Sequence, residues 1–140
     1  MTYKKLTEQL IRHEGLKLKP YKCTAGKLTI GVGRNLDDVG ISKGEALHLL
    51  SNDIITAKDE LVRVFPWTHE LDEVRFQTLV NMVFNLGISR LAQFTKTMSL
   101  IRDGEYDAAA TEMLDSRWAK QVGNRAIELS EQMRTGSYAD

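Results

Sequence analysis

The sequence is poor in cysteine and in long apolar runs. Cys23 is the only cysteine among 140 residues, which excludes a disulfide within the chain. The three histidines lack any ligand spacing, so we expect no metal site and no cofactor. The longest run without a charge, 76–89, has 14 residues, whereas a membrane-spanning helix needs about 20. The first residues also lack the apolar core of a signal peptide. We expect a soluble, cytoplasmic chain without a signal peptide or transmembrane segment.

An excess of charge of one sign is also absent. Lys and Arg together number 19, as do Asp and Glu, so the net charge is zero. This balance argues against a dedicated nucleic-acid-binding protein, and we expect no nucleic-acid partner. The segment 15–36, however, carries five basic residues and no acidic one. Its partner is expected to be anionic or rich in hydrogen-bonding groups.

The apolar periodicity predicts one mostly helical α+β domain, 1–140, with two lobes. A first helix ends near Gly15, with Leu6, Leu10 and Ile11 on a buried stripe and Glu14 at its C-terminal end. The predicted parts are a small lobe at about 12–42, a connecting helix at about 43–64, and a helical lobe at about 65–140 that also includes the N-terminal helix 2–13.

Side-chain caps predict where the two longest helices begin. Ser42 and Glu45 form a capping box for the connecting helix, which should extend to about Val64. Asp72 should cap a central buried helix that ends near Leu86. Large or flexible apolar residues are expected in the core of the C-terminal lobe: Met82, Met98, Met113 and Trp118.

One hairpin is predicted, with strands near 18–23 and 27–33. If Gly26 ends a three-residue loop in the left-handed conformation, Cys23 pairs with Lys27 and Tyr21 with Thr29. Alternation then divides the side chains between two faces. The expected core face holds Leu28, Ile30 and Val32, and the expected polar face holds Cys23 and Thr29 as diagonal neighbours.

Taken singly, the polar residues of this region do not establish a function. Glu14 is compatible with an exposed acid at a helix end and with a general acid that donates a proton. Cys23 is compatible with an inert buried thiol, although neighbouring lysines would lower its pKa. Thr29 is a good strand former. The order and spacing of the three residues are more informative.

Glu14, Cys23 and Thr29 are separated by eight and five residues within EGLKLKPYKCTAGKLTIGVGR. This segment resembles the catalytic segment of the T-even type phage lysozymes, glycoside hydrolases that cut bacterial peptidoglycan. The family pattern is Glu, eight residues, Asp or Cys, five residues, Thr. The similarity continues through NMVFNLG (81–87), FTKTM (94–98), SRWAKQVGNRA (116–126) and RTGSY (134–138). The resemblance implies a lysozyme-like fold with a hairpin-bearing lobe, a long connecting helix and a helical lobe.

The same resemblance implies roles for individual residues. Glu14 would protonate the glycosidic oxygen, Cys23 and Thr29 would handle or position a water, and Arg125 would steady Glu14. The implied substrate contacts are Asn35, Phe84, Asn85 and Thr97. A buried apolar role is an equal alternative for Phe84, because its helix is apolar nearly all round.

Two departures from the family pattern are visible. Cys23 stands where the best-known members carry Asp, and a thiol is mostly neutral unless its neighbours lower its pKa. Cys23 would act as a thiolate base, as a hydrogen-bonding aid to water or as a nucleophile, so inversion and retention both stay open. In addition, only residues 35–41 separate Arg34 from the Ser42 cap, where longer relatives have a further strand and helical segment.

The resemblance implies a muramidase that hydrolyses the β-1,4 bond between N-acetylmuramic acid and N-acetylglucosamine for host cell lysis. One alternative is a lytic transglycosylase acting on the same bond, and another is a catalytically weak peptidoglycan-binding module. The resemblance further implies that the substrate is the peptidoglycan glycan strand and that the protein acts on it as a monomer. The family also implies that a holin releases the protein from the host cytoplasm, so that it acts in the periplasm.

Overall fold

The computed structural model describes residues 1–139 and confirms the predicted mostly helical α+β fold class. The chain divides into two compact units, one formed by residues 1–49 and the other beginning at residue 50. The boundary lies within a long helix. The lobe boundaries expected from the sequence, with helix 2–13 counted in the C-terminal lobe, stay a prediction.

The N-terminal unit combines a helix with a three-stranded antiparallel sheet. Helix α1 spans Lys4–Glu14 and is ended by Gly15, whose N–H donates to the Ile11 carbonyl at 2.8 Å. The strands follow in the spatial order β1-β2-β3. They are β1 (Lys17–Lys22), β2 (Leu28–Gly31) and β3 (Arg34–Asn35).

Next to its loop, the hairpin of β1 and β2 has the predicted register. Tyr21 is paired with Thr29, and the Cys23 N–H donates to the Lys27 carbonyl at 2.9 Å. Gly26 has a φ of 78°, the left-handed conformation that this loop requires at its last position. Farther from the loop the register shifts, and Lys17 is paired with Gly31 where a continuous ladder would pair it with Gly33. Loop length and one glycine therefore predicted the pairing beside the loop but not this irregularity.

The prediction that Leu28, Ile30 and Val32 form a core face is wrong. Leu28 and Val32 are 37% and 38% exposed, and Ile30 is half-buried. The buried residue of this strand is Thr29, which is 3% exposed and is paired with Asn35 of β3. Alternation along a strand decides which side chains share a face, whereas packing decides which face is covered.

The apolar stripe of α1 also differs from the prediction. Leu6, Leu10 and Ile11 are 46%, 42% and 38% exposed, and α1 has no buried residue. The amphipathic pattern predicted the helix itself correctly. It could not show whether the sheet of the same unit covers that stripe, because periodicity describes one element at a time.

Strand β3 was not predicted, since the sequence indicated only a loop after Arg34. The strand has two residues, too few for any periodic signal. It pairs with β2 through Thr29 and Ile30, and the Leu36 N–H donates to the Leu28 carbonyl at 2.7 Å just beyond it.

Helix α2 spans Lys43–Val64 and begins with the predicted capping box. The Glu45 N–H donates to Ser42 Oγ at 3.1 Å, and the Ser42 N–H donates to Glu45 Oε1 at 2.9 Å. These reciprocal bonds satisfy two donors at the start of the helix. The second unit begins within this helix, and its first buried residues are Ala57 and Leu61.

The C-terminal unit continues with short helices joined by tight turns. A 3₁₀ helix, Pro66–Glu70, follows α2. The α-helices are α3 (Glu73–Leu86), α4 (Ile88–Leu91), α5 (Thr95–Arg102), α6 (Tyr106–Asp115), α7 (Arg117–Val122) and α8 (Asn124–Thr135). Asp72 caps α3 as predicted, because its Oδ2 accepts from the Arg75 N–H at 3.1 Å.

The main core lies in this unit. Trp118 is 2% exposed and meets Phe94 edge to face, with ring centroids 6.3 Å apart. The core positions predicted for Met82, Met98 and Met113 are confirmed. Helix α3 is central, with six buried residues: Thr78, Leu79, Val80, Met82, Val83 and Leu86.

Across residues 1–139, none of the helices combines the length and the apolar composition that crossing a bilayer requires.

Candidate active site

The structure places the eight residues that the sequence singled out equally in the two units. Glu14, Cys23, Thr29 and Asn35 lie in the N-terminal unit, and Phe84, Asn85, Thr97 and Arg125 lie in the C-terminal unit.

Glu14 is the last residue of α1, at the C-terminal position that the sequence predicted. Its side chain is exposed and reaches the turn between β2 and β3. A Cβ atom added to Gly33 would lie 2.9 Å from Glu14 Oε2, and Gly33 has a φ of 68°. The close approach and the left-handed backbone both require glycine at this position. The carboxylate therefore lies directly beside the sheet.

Cys23 follows β1 and opens the hairpin loop. Its carbonyl accepts from the Gly26 N–H at 2.8 Å, while its own N–H is bonded to the Lys27 carbonyl. The side chain is half-buried and forms no disulfide. Hydrogen bonds within the loop thus hold both the N–H and the carbonyl of Cys23.

The loop also lowers the pKa of the Cys23 thiol. The main cause is the backbone N–H of Lys27, followed by the N–H of Ala25, and the Thr29 hydroxyl adds a smaller effect in the same direction. Partial burial acts in the opposite direction. Hydrogen-bond donors around the sulfur stabilise its charged form, so the thiolate is more accessible here than for an ordinary cysteine.

Thr29 lies at the centre of the sheet and shares a hydrogen-bond acceptor with Cys23. The Thr29 hydroxyl donates to the Lys27 carbonyl at 2.9 Å, the same oxygen that accepts from the Cys23 N–H. The structure therefore brings together the two residues that were expected to be diagonal neighbours. It differs from the prediction in burying Thr29 almost completely.

Asn35 pairs with Thr29 in the sheet, and its side chain is used within its own loop. Asn35 Nδ2 donates to Asp38 Oδ2, and the Asp38 N–H donates to Asn35 Oδ1, each at 3.0 Å. The amide is thus held in a defined orientation at the end of β3.

In the C-terminal unit, Phe84 and Arg125 line one pocket of about 490 Å³. Phe84 is 47% exposed, which excludes the buried alternative raised for it from the sequence. The Arg125 guanidinium donates to Asn81 Oδ1 through Nη2 at 2.7 Å and Nε at 3.1 Å. The remaining lining residues are Leu50, Ile54, Gln77, Val80, Asn81 and Tyr138.

Asn85 and Thr97 do not line this pocket. Asn85 Oδ1 accepts from Trp118 Nε1 at 2.7 Å, so the amide satisfies the buried indole. Thr97 is 5% exposed and lines a separate depression of about 360 Å³ next to Glu112. The structure gives Asn85 a packing role that the sequence did not indicate.

Sequence reasoning missed several residues that organise the site. Asn81 holds Arg125, and Asp37 and Asp38 contact the hairpin. Asn81 begins the NMVFNLG segment, so its position was visible, but no local pattern shows that its partner is 44 residues away. Asp37 and Asp38 lie in the short NLDDVGI loop, whose acidic pair carries no motif of its own.

The predicted catalytic residues of the N-terminal unit offer acid–base groups. Over the described part of the chain, no group of three or more His, Cys, Asp or Glu side chains is placed to hold a metal ion. Among the acid–base groups of the N-terminal unit, the two that belong to the predicted catalytic set are the Glu14 carboxyl and the Cys23 thiol with its lowered pKa. Such a pair suits proton transfer to a leaving oxygen and from a water.

Comparison with known proteins links this arrangement to one family. Residues 11–134 match the family model described as phage lysozyme. The chain is 28% identical to the probable T4-type lysozyme 2 of Dictyostelium discoideum, over 94% of this chain and 95% of that protein.

Two further relatives come from phages. The chain is 32% identical to the endolysin of Acyrthosiphon pisum secondary endosymbiont phage 1, over 81% of this chain and 78% of that protein. It is 29% identical to the SAR-endolysin of Escherichia phage Mu, over 88% of this chain and 71% of that protein.

Proposed function

Because the chain belongs to the phage lysozyme family, we propose that it is a muramidase that hydrolyses the β-1,4 bond between N-acetylmuramic acid and N-acetylglucosamine. Membership supports the broader statement that the protein is a glycosidase-type enzyme that degrades peptidoglycan. The observation that carries the finer proposal is the placement of Glu14 at the end of α1, ahead of a hairpin that presents Cys23 beside Thr29.

In the proposed reaction, the Glu14 carboxylic acid donates its proton to the glycosidic oxygen as the bond to the anomeric carbon breaks. A water attacks that carbon and gives its proton to the Cys23 thiolate, while the Thr29 hydroxyl positions the water. The lowered pKa of the thiol supports the base role, because a base must be unprotonated before the reaction. Attack by water in one step predicts inversion at the anomeric carbon.

The remaining residues predicted from the sequence are proposed to bind the substrate or to support Glu14. Asn35, Phe84, Asn85 and Thr97 are proposed substrate contacts, and Arg125 is proposed to steady Glu14. The exposure of Phe84 supports its assignment. The 5% exposure of Thr97 makes its assignment the weakest of the four, because only a small part of the side chain is open to a ligand.

The wider proposal follows the family resemblance. The protein acts as a monomer on glycan strands, without a cofactor. A holin releases it from the host cytoplasm, and it acts on the cell wall in the periplasm. The holin is a requirement for access to the substrate and forms no stable complex with the enzyme.

The proposal is tested by the Glu14→Gln variant. An amide cannot donate the proton, so clearing of a cell-wall suspension should fall by about 10²- to 10⁴-fold. Glu8→Gln, on the same helix, is the matched control and should clear at the wild-type rate. Wild-type clearing by Glu14→Gln would exclude this mechanism, and an inactive wild type that still binds the wall would favour the binding-module alternative.

A lytic transglycosylase is the second candidate, because the Cys at position 23 leaves Glu14 as the one carboxylate of the catalytic set. In that reaction Glu14 serves as acid and then base, and the muramoyl 6-hydroxyl replaces water. Mass spectrometry of the products separates the two reactions. Hydrolysis gives reducing ends heavier by about 18 Da, one water, whereas transglycosylation gives anhydro-muramoyl ends.

A further inference from the structure

The loop after β3 holds the hairpin through two adjacent carboxylates. Asp37 Oδ2 accepts from the Leu28 N–H at 2.7 Å. Asp38 Oδ1 lies 3.2 Å from Lys27 Nζ. Both contacts lie outside the hydrogen-bonded ladder of the sheet. The first holds the backbone of Leu28, and the second holds the end of the Lys27 side chain.

The Lys27–Leu28 segment determines where Cys23 and Thr29 lie. The Lys27 carbonyl accepts from both the Cys23 N–H and the Thr29 hydroxyl, each at 2.9 Å. A movement of this one peptide group would therefore displace both residues. The carboxylates of the following loop are placed where they restrain that movement.

The same loop also orients Asn35. The Asp38 carboxylate accepts from Asn35 Nδ2 through Oδ2 while its Oδ1 faces Lys27. Asp38 thus contacts both Asn35, a proposed substrate contact, and Lys27, whose carbonyl accepts from the Cys23 N–H.

Polar contacts matter in this unit because its core is small. Among residues 1–49, all of which the structure describes, Thr29 is the sole buried residue. A segment of this length buries too little apolar surface to fix its loops by packing. Individual hydrogen bonds then become significant for local order.

We propose that Asp37 and Asp38 are positioning residues, which hold the Lys27–Leu28 segment and thereby keep Cys23, Thr29 and Asn35 in the arrangement that the reaction needs. The inference rests on the proposed function. Because oxygens of both carboxylates accept from donors of the hairpin or of Asn35, these residues act through their neighbours and not as the base.

The state of the thiol gives a readout that is independent of lysis. The Lys27 N–H is the main cause of the lowered pKa of Cys23. Release of the Lys27–Leu28 segment should remove that donor and raise the pKa. Since Cys23 is the only cysteine, the rate of its alkylation by iodoacetamide at different pH values reports this change directly.

The test compares Asp37→Ala with Asp37→Asn. Alanine removes the acceptor for the Leu28 N–H, whereas the asparagine amide oxygen keeps it. We expect Asp37→Ala to lower the turnover on cell walls by about tenfold and to move the alkylation profile to higher pH. Asp37→Asn should stay within about twofold of the wild type in turnover, with an unchanged profile.

A second variant covers the case in which Asp37→Ala does not fold. Asp38→Asn keeps the shape of the side chain but removes the charge that faces Lys27, so it should shift the alkylation profile in the same direction and lower turnover by about threefold. Asp103→Asn, an exposed acid of the C-terminal unit, is the matched control and should change neither quantity. Circular dichroism verifies that each variant is folded.

The inference is overturned if Asp37→Ala keeps both the wild-type turnover and the wild-type alkylation profile. It is also overturned if Asp37→Asn is impaired as much as Asp37→Ala, because the acceptor would then not be the relevant feature. If the proposed function fails, Glu14→Gln lyses walls like the wild type, and the alkylation profiles still report whether the two carboxylates hold the hairpin.

Discussion

At the scale of single residues, the proposed mechanism depends on the Cys23 thiol. The resemblance places Asp at this position in the best-known members of the family, and a carboxylate is charged at neutral pH without assistance. Here the N–H groups of Lys27 and Ala25 supply that assistance by lowering the thiol pKa. The hairpin loop thus sets the strand register beside it and also lowers the pKa of the Cys23 thiol.

Replacing the sulfur tests this reading. Cys23→Asp should retain clearing and give inverted products, because a carboxylate is a competent base at the same place. Cys23→Ser should clear the cell-wall suspension at least about 10²-fold more slowly than the wild type, because a hydroxyl is not ionised at neutral pH. The measurement is the anomeric configuration of the first product, followed by NMR, together with the rate of clearing.

Alkylation of the wild-type thiol provides the control for these variants. Complete modification by iodoacetamide should strongly reduce clearing. Full activity after complete modification contradicts a chemical role for the sulfur. Retained configuration in the wild type, together with a trapped adduct at Cys23, would instead identify the thiolate as a nucleophile.

The residue roles also show the limit of a sequence pattern. The resemblance of the Glu14, Cys23 and Thr29 spacing to the family pattern singled out the candidate residues, and that spacing covers one helix end and one hairpin, which are local structures. It could not show that Asn85 is bonded to the Trp118 indole, because those residues are 33 positions apart. Local geometry is encoded in short segments, whereas partners across the fold are not.

At the scale of elements, the start of α2 is joined to the sheet by one carboxylate. Glu45 accepts from the Ser42 N–H and also from Arg34 Nη1, at 2.9 and 2.8 Å. Arg34 Nη1 further donates to the Gly40 carbonyl at 3.1 Å. These contacts lower the pKa of Glu45 from its ordinary 4.5 to about 2, with the Arg34 bond as the largest cause.

Glu45→Gln should therefore remove a pH-dependent contribution to stability. The folded-state pKa is lowered, so the contribution is fully present above pH 4.5 and is lost as the pH falls from 4.5 through about 2. The wild type should melt at a higher temperature than Glu45→Gln near neutral pH. The difference should narrow across that acidic interval, as followed by circular dichroism melts.

Glu128→Gln, at an exposed position of α8, controls for the loss of one acid. Its melting temperature should follow the wild type at every pH. A difference between wild type and Glu45→Gln that stays constant from neutral pH down to pH 2 would show that the ion pair with Arg34 contributes nothing measurable.

The helix starts were predictable from the sequence, because a cap is formed by residues three positions apart. The sheet was predicted only in part. Its register beside the loop follows from residues 24–26, but β3 has too few residues to show a pattern. Thr29 is buried and Leu28 exposed, which alternation alone could not show, because alternation does not tell which face is covered.

At the scale of the whole molecule, burial is distributed unequally between the two units. Nearly every buried side chain that the structure describes lies beyond residue 49, around Trp118 and helix α3. The N-terminal unit carries the proposed acid and base on elements that are held mainly by hydrogen bonds. The two units should therefore respond differently to mutation, with packing decisive in one and polar contacts decisive in the other.

The C-terminal unit depends on one arginine that connects three helices. Arg75 of α3 donates to the Met133 and Arg134 carbonyls, at 2.6 and 2.9 Å, which lie in the last turn of α8. Its guanidinium lies 3.7 Å from the ring centroid of Tyr106 in α6. Carbonyls in the last turn of a helix lack partners within the helix, so this side chain satisfies groups that α8 cannot satisfy itself.

Arg75→Lys should lower the free energy of unfolding by about 1–3 kcal/mol, because an ammonium group cannot reach both carbonyls and stack on the ring at once. Urea denaturation measures the change. Arg117→Lys, at an exposed position of α7, is the matched control, and its effect should stay within about 0.5 kcal/mol. Since Arg75 lies outside the proposed catalytic set, clearing per folded molecule should not change. If Arg75→Lys is as stable as the control, the guanidinium contacts at the end of α8 do not support the fold.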